Sequence, residues 1–216
     1  MGNVPRDGSA TRGRILDAAE MLVERNGFGA TSIDQILAEA RTSKGAFFHH
    51  FESKKALARA LVERYVDVDL ALLGRGLDSV ANVEDPVDRV LGFLGFYERW
   101  SEKLVSKDSG CLYIPVLTER DLLDDATAVA VERAILTWRV EFVTLLRPAL
   151  ATTAAGRCIE PEELADHLFA TFEGGYLMCR SLRSAEPMRA QLRVLRQLVS
   201  ATLGRDFGLP TRSARA

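Results

Sequence analysis

Apolar residues recur at intervals of three and four almost from one end of the chain to the other, the period of α-helices that each bury one face. Ile15, Ala18, Ala19, Leu22 and Val23 keep that spacing after Thr11, and Asn26-Gly27 supplies the left-handed stop expected at a helix carboxyl end. The stretch TSIDQILAEA opens on hydroxyl caps, Thr31 or Ser32. It sets Asp34 and Gln35 where a capping box needs them and turns Ile33, Ile36 and Leu37 inward. After a break at Arg41-Thr42, Ser43 is placed to cap a third helix that begins with Lys44-Gly45 and ends near His50, ahead of the turn Glu52-Ser53-Lys54. A supporting helix followed by two short helices with a tight connection is a helix-turn-helix unit.

Longer helices are predicted beyond it. The spacing gives helices over residues 56–79 and 86–104, with Pro86 in a first-turn position, and a shorter piece over 111–120 interrupted by Pro115. Three more follow: residues 124–146, ending near Pro148, then 162–182 and 187–203. No alternating strand pattern of useful length competes, and no solenoid repeat is visible. The expectation is an all-α protein with a helix-turn-helix domain at residues 11–55 and a larger helical domain at 56–205, flanked by polar tails.

Composition adds little to this and excludes some classes. The chain has 216 residues, and 47% hydrophobic content is ample for a core. Cys111, Cys158 and Cys179 lie far apart without a C-x-x-C pair, against a zinc site or a disulfide framework and for a reducing compartment. MGNVPRDGSATRGR lacks the apolar core of a signal peptide, and Arg6 stands where a myristoylation signal wants Ser or Thr. With no apolar run long enough to span a bilayer, the reading is a cytoplasmic protein without a membrane partner.

The net charge of −2 conceals one basic stretch. ARTSKGAFFHHFESKKAL, residues 40–57, gathers Arg41, Lys44, Lys54 and Lys55 beside two histidines and three phenylalanines, with Glu52 as its single acid. If residues 43–50 form the second helix of the motif, its amino end enters a major groove while Phe47 and Phe51 pack back on the first two helices. Backbone N–H groups there, the hydroxyls of Thr42 and Ser43, and the ammonium groups of Lys44 and Lys54 all suit phosphate oxygens. Gly45, without a Cβ, lets the backbone approach DNA closely. The plain alternative for His49 and His50 is a solvated helix end. A zinc site from His49, His50 and His167 is disfavoured, because adjacent helix positions point about 100° apart.

GFGATSIDQI followed by TSKGAFFHHFESKKAL resembles the DNA-binding domain of the TetR family of bacterial transcriptional repressors, over residues 14–57. Carried over by position, the resemblance implies that Ser32, Thr42, Ser43, Lys44, Gly45, Ala46, Phe48, His49, His50 and Lys54 face DNA. Arg12 and Arg14 at the start of the first helix add phosphate contacts. The family usually has Tyr where this chain has Phe48, so one phosphate-reaching hydroxyl is missing. Base readout falls mainly to Lys44, Ala46, Phe48 and His49, a set thin in bidentate donors, which gives DNA shape a share of the specificity.

The same resemblance implies a homodimer and a small-molecule inducer. Met188, Leu192, Leu195, Val199 and Leu203 on the last helix, with Leu164, Leu168, Phe172 and Leu177 on the one before, are expected to pair two chains as a four-helix interface. Intramolecular core is the competing reading of that stripe. Phe93, Phe96, Tyr97, Trp100, Tyr113, Trp138, Phe142, Phe172 and Tyr176 are candidate lining for a ligand cavity, with core packing as the alternative. The segment DSGCLYIPVLTE is similar to the G-C-L segment of a family branch whose members respond to electrophiles or oxidants through a cysteine. Cys111, near a predicted helix amino end, is therefore a candidate sensor, and Cys179 beside Arg180 a second.

No Ser/His/Asp set, Glu-x-x-His metal pair or phosphate loop supports an enzyme, and no cofactor is implied. The expectation is a homodimeric repressor that binds a palindromic double-stranded operator and is released by a small-molecule or electrophilic inducer. The alternative is a helical interaction protein whose basic segment takes an acidic partner.

Overall fold

In a computed structural model the protein is described over residues 8–104, 111–119, 124–153 and 158–205, with side chains 102–104 and 115–117 excepted. The expected terminal tails, the loop at 105–110 and the expected helix end at Arg120 lie outside those residues in whole or in part. Among the described residues there are nine helices and no strand: α1 Gly8–Asn26, α2 Ile33–Glu39, α3 Lys44–His50, α4 Lys54–Asp78, α5 Pro86–Leu104, α6 Tyr113–Thr118, α7 Asp125–Ala151, α8 Pro161–Leu182 and α9 Glu186–Thr202. None is long and apolar enough to cross a membrane. The all-α expectation holds. The chain divides into two compact units, one from residues 1–70 and 108–134, the other from 71–107 and 135–216.

The first unit is built on α1. Its buried face, Ile15, Leu16, Ala18, Ala19 and Val23, meets Ile36 of α2 and Phe47 of α3, with Phe51, Leu57, Leu61 and Val62 also sealed from solvent. Full burial of one ring the size of Phe47 contributes about 2–3 kcal/mol. Arg64 of α4 donates to Asp17 at 2.6 Å and also to Glu20, fastening α4 along α1. Asp124, just before α7, accepts the Thr127 N–H at 2.9 Å and the Thr127 hydroxyl at 2.7 Å. That hydroxyl bond, with the backbone N–H and the nearby Arg59, holds the Asp124 carboxyl below its ordinary value.

The second unit packs α5 and α8 against α9. Gly175 of α8 allows close approach, since a Cβ there would lie 2.7 Å from the Met188 sulfur. Arg139 grips Asp166 with two parallel bonds of 2.6 and 2.7 Å, joining α7 to α8, and Arg196 of α9 pairs with Glu98 of α5 at 2.8 Å. Asp85 precedes α5 and accepts the N–H groups of Val87 and Asp88 at 2.9 Å. The Asp88 bond foremost, then Arg205, lowers its pKa.

Two expectations need correcting. Helix α7 does not stop near Pro148 but runs to Ala151 with the proline inside it. Pro148 stands in the last turn, where it forfeits one ladder bond, that to the Thr144 carbonyl, and burial of Ala149 and Leu150 holds the chain helical past it. Most of the stripe expected to pair two chains is core: Met188, Leu192, Leu195, Val199 and Leu203 are all buried within one chain, as are Leu168 and Phe172, whereas Leu164 is half-buried and Leu177 exposed. The apolar residues left exposed on α8 and α9 are Leu177, Met178, Leu182, Val194 and Leu198.

Candidate nucleic-acid interface

Local chemistry fixes the head. Ser32 caps α2 by a complete capping box, accepting the Gln35 N–H at 3.2 Å while its own N–H donates to the Gln35 side chain at 2.7 Å. Thr31, the other cap candidate, is buried and donates its hydroxyl to the Gly27 carbonyl at 2.8 Å. Arg41 makes the turn between α2 and α3 at φ +47°, a left-handed conformation unusual for a residue with a side chain. Ser43 then caps α3 by accepting the Ala46 N–H at 3.2 Å. Both capping serines keep the hydroxyl hydrogen as a donor.

These caps set the rotation of α3. Phe47 is fully buried, so Lys44, Gly45, Phe48 and His49 come out exposed, with Thr42, Ala46 and His50 half-buried beside them. Phe48 stands edge-on to Phe47 at 5.2 Å, and the rings of His49 and His50 meet at 4.9 Å. A Cβ on Gly45 would have only the Ser43 hydroxyl near it, at 3.9 Å, so the glycine answers no internal crowding. Arg12 and Arg14 are both exposed on α1. The Arg12 guanidinium lies 5.3 Å from the Phe51 ring centroid, and Arg14 donates to the Thr11 hydroxyl at 3.2 Å. Lys54 is half-buried and donates to the Phe28 carbonyl. One of its three N–H donors is thereby engaged inside the head.

The candidate ligand residues divide between the units. Phe93, Tyr97, Trp138, Phe142 and Phe172 belong to the second unit, where they pack ring against ring at 5.1–6.4 Å. Phe93, Tyr97 and Phe142 are fully buried, and the Tyr97 hydroxyl donates to the Leu72 carbonyl at 3.2 Å. Phe96 stacks on half-exposed Trp100 at 5.7 Å, with Arg75 over that indole at 4.9 Å, and Tyr176 is half-buried on α8. Cys179 is buried and its sulfur accepts the Met188 N–H at 3.3 Å, while Arg180 is exposed.

Cys111 and Tyr113 belong to the first unit. The Cys111 sulfur is buried and accepts the Tyr113 N–H at 3.3 Å. Tyr113 meets Tyr65 edge-on at 5.0 Å and donates its hydroxyl to Asp69 at 2.8 Å. Cys158, the exposed cysteine, belongs to the second unit. A surface groove of about 390 Å³ between α4 and α7, lined by Glu63, Asp67, Ala126, Val129, Ala130 and Arg133, contains none of the candidate residues. Among the described residues no group of His, Cys, Asp and Glu is placed to hold a metal ion.

Known proteins agree with this geometry. Residues 15–61 match the model of bacterial regulatory proteins of the tetR family, and residues 86–195 match a tetracyclin repressor-like carboxyl-terminal domain. The HTH-type transcriptional repressor NemR of Escherichia coli is 26% identical over 197 residues, which cover 88% of this chain and 94% of NemR. The transcriptional regulator AcuR of Cereibacter sphaeroides is 27% identical over 206 residues, 93% of this chain and 87% of AcuR. The crystal structure of reduced E. coli NemR superimposes with a TM-score of 0.65 at 25% identity, over 86% of this chain and 95% of that one. With an exposed α3 set on a buried Phe47 and family matches over both the head and the helical body, the chain belongs to the TetR family of transcriptional regulators, which are not enzymes.

Proposed function

We propose that the chain is a homodimeric repressor acting in the cytoplasm, in which α3 of each copy reads one half of a palindromic operator and a small molecule or electrophile bound by the helical body releases the DNA. The observation that carries this reading is the surface of α3. Lys44, Gly45, Phe48 and His49 are exposed together on one face of a serine-capped helix whose opposite side is anchored by Phe47. Helix-turn-helix dimers place such helices in successive major grooves roughly 34 Å apart. The uncapped N–H groups at the start of α3 and the hydroxyls of Ser32, Thr42 and Ser43 then meet phosphate, joined by Arg12, Arg14 and Lys44.

Leu177, Leu182, Val194 and Leu198, exposed on α8 and α9, support pairing of two copies through these helices. Leu177 is one of the residues expected in that role; the buried residues expected with it serve the interior of each chain. For the inducer, Cys111 remains the candidate electrophile sensor, and solution of the relative NemR in a reduced form is in keeping with cysteine chemistry in this part of the family. Burial of Cys111 requires the reagent to enter the first unit to reach it.

Selection of bound sequences from random duplex DNA tests the reading. The expected result is enrichment of a palindrome bound by two chains, at least 10³-fold more tightly than random duplex at matched salt, roughly the lower bound for specific recognition. Equal affinity for every duplex contradicts it and favours the alternative, a basic surface for an acidic partner.

A further inference from the structure

The turn between α1 and α2 is held from outside the helix-turn-helix by an acid ninety residues further along the chain. Glu119, just after α6, accepts the Gly29 N–H at 2.6 Å. Its other carboxylate oxygen lies 2.8 Å from the place a Cβ on Gly27 would take. Gly27 has φ +81°, a conformation that L residues rarely adopt, so its backbone angle favours glycine, and a Cβ there would also push on the Glu119 carboxylate. On the residue between them, Lys54 donates to the Phe28 carbonyl while the Phe28 ring is buried. An acid and a base thus hold the two ends of one peptide group, the Phe28 C=O and the Gly29 N–H, and a charged partner makes the stronger kind of hydrogen bond.

The other end of the α6 segment is tied to the middle of α4, where Tyr113 donates to Asp69 at 2.8 Å and packs on Tyr65. Residues 111–119 therefore form a short strut from α4 to the α1–α2 turn, all within the first unit. That turn sets the entry of α2, because Thr31 closes on the Gly27 carbonyl and Ser32 starts the helix immediately after. Helix α3 packs on both α1 and α2.

We propose that Glu119 is a positioning residue for DNA recognition: its carboxylate, holding the Gly29 N–H, sets the pose of the α2–α3 pair, and movement of residues 111–119 changes operator affinity through this bond. The inference deepens the DNA-reading role proposed for α3 and rests on it.

Electrostatics and positioning predict opposite signs, which makes the proposal testable. Removing an acid from a DNA-binding protein strengthens its attraction to every phosphate, whereas loosening the head weakens binding only to the sequence it fits. Full-length protein and its Glu119→Ala and Glu119→Gln variants are titrated with the selected operator and with random duplex, and exchange of the Gly29 amide is followed by NMR. In Glu119→Ala, Gly29 exchange rises about tenfold or more as its bond is lost. Operator affinity falls about five- to tenfold, a typical coupling, while random-duplex affinity holds or rises. Glu119→Gln, which keeps an acceptor oxygen, restores most of the operator affinity. Unchanged Gly29 exchange, or operator and random-duplex affinities that rise or fall together, overturns the proposal. If wild-type protein does not discriminate operator from random duplex, the DNA-reading role fails instead, and the exchange measurement still decides whether the carboxylate holds the turn.

Discussion

Phe48 and Phe142 are the same side chain in opposite situations. Phe48 is 46% exposed on α3, whereas Phe142 is 1% exposed on α7 and stacked on Phe93 at 5.4 Å. Exposing a ring costs hydrophobic stabilisation, so one held outside by a buried neighbour and a capped helix is available for a partner. A ring filled against others on all sides answers the demands of its own core first. Aromatic side chains marked both regions in the sequence, but only their burial separates a surface that meets another molecule from one that holds the chain together.

The largest expected effect breaks the buried side of that contrast. Phe142→Ala lowers unfolding free energy by about 3–5 kcal/mol, the usual cost of deleting a buried ring, as read by urea or thermal denaturation. A loss under about 1 kcal/mol would instead mark Phe142 as the wall of a cavity with room to spare. On the exposed side the effect is smaller and of another kind. His49→Ala changes preference among operators by about 1–3 kcal/mol at the base pairs it touches, and Arg14→Ala, at an exposed phosphate-facing position, weakens all duplexes about equally and reduces the salt slope by about 1. Thermal denaturation of His49→Ala matches wild type, because His49 is exposed.

The smallest effect belongs to the helix starts of the two units. Asp85 and Asp124 both titrate below the ordinary aspartate value of 3.8. A carboxyl with a lowered folded pKa adds stability that is fully present above 3.8 and is lost as pH falls through the folded value. The melting temperature is therefore flat in this contribution from neutral pH down to that point and declines below it. Asp85→Asn, which keeps a capping oxygen but no charge, makes the decline shallower. An unchanged acid limb would mean that the Asp88 and Arg205 interactions do not favour the ionised form.

Much of the head was legible because its determinants are local. The Ser32-x-x-Gln35 capping box, Ser43 ahead of Lys44, and Gly27 after Asn26 each act within four residues, and each holds in the structure. The start of α5 at Pro86 was legible for the same reason. Arg41 was legible only as a break, since nothing in its chemistry announces a left-handed backbone. Glu119 gave no signal at all, because its meeting with Gly29 is a tertiary contact across ninety residues. The α9 stripe shows a related limit. Its spacing states that one face is buried but not whether the covering surface comes from the same chain, and here Met188 and Leu192 are covered from within.

Gly45 carries the most direct test of α3 as the DNA-reading element. A Cβ there would meet only the Ser43 hydroxyl at 3.9 Å, Gly45 is exposed, and leucine is a better helix former than glycine. Gly45→Leu, measured for melting temperature and for operator affinity at matched salt, is predicted to melt no lower than wild type. It should bind the operator about 100-fold more weakly, roughly 2.7 kcal/mol, because the added side chain stands between helix and groove. A variant that keeps wild-type operator affinity, or loses it only in step with its folding, contradicts the account.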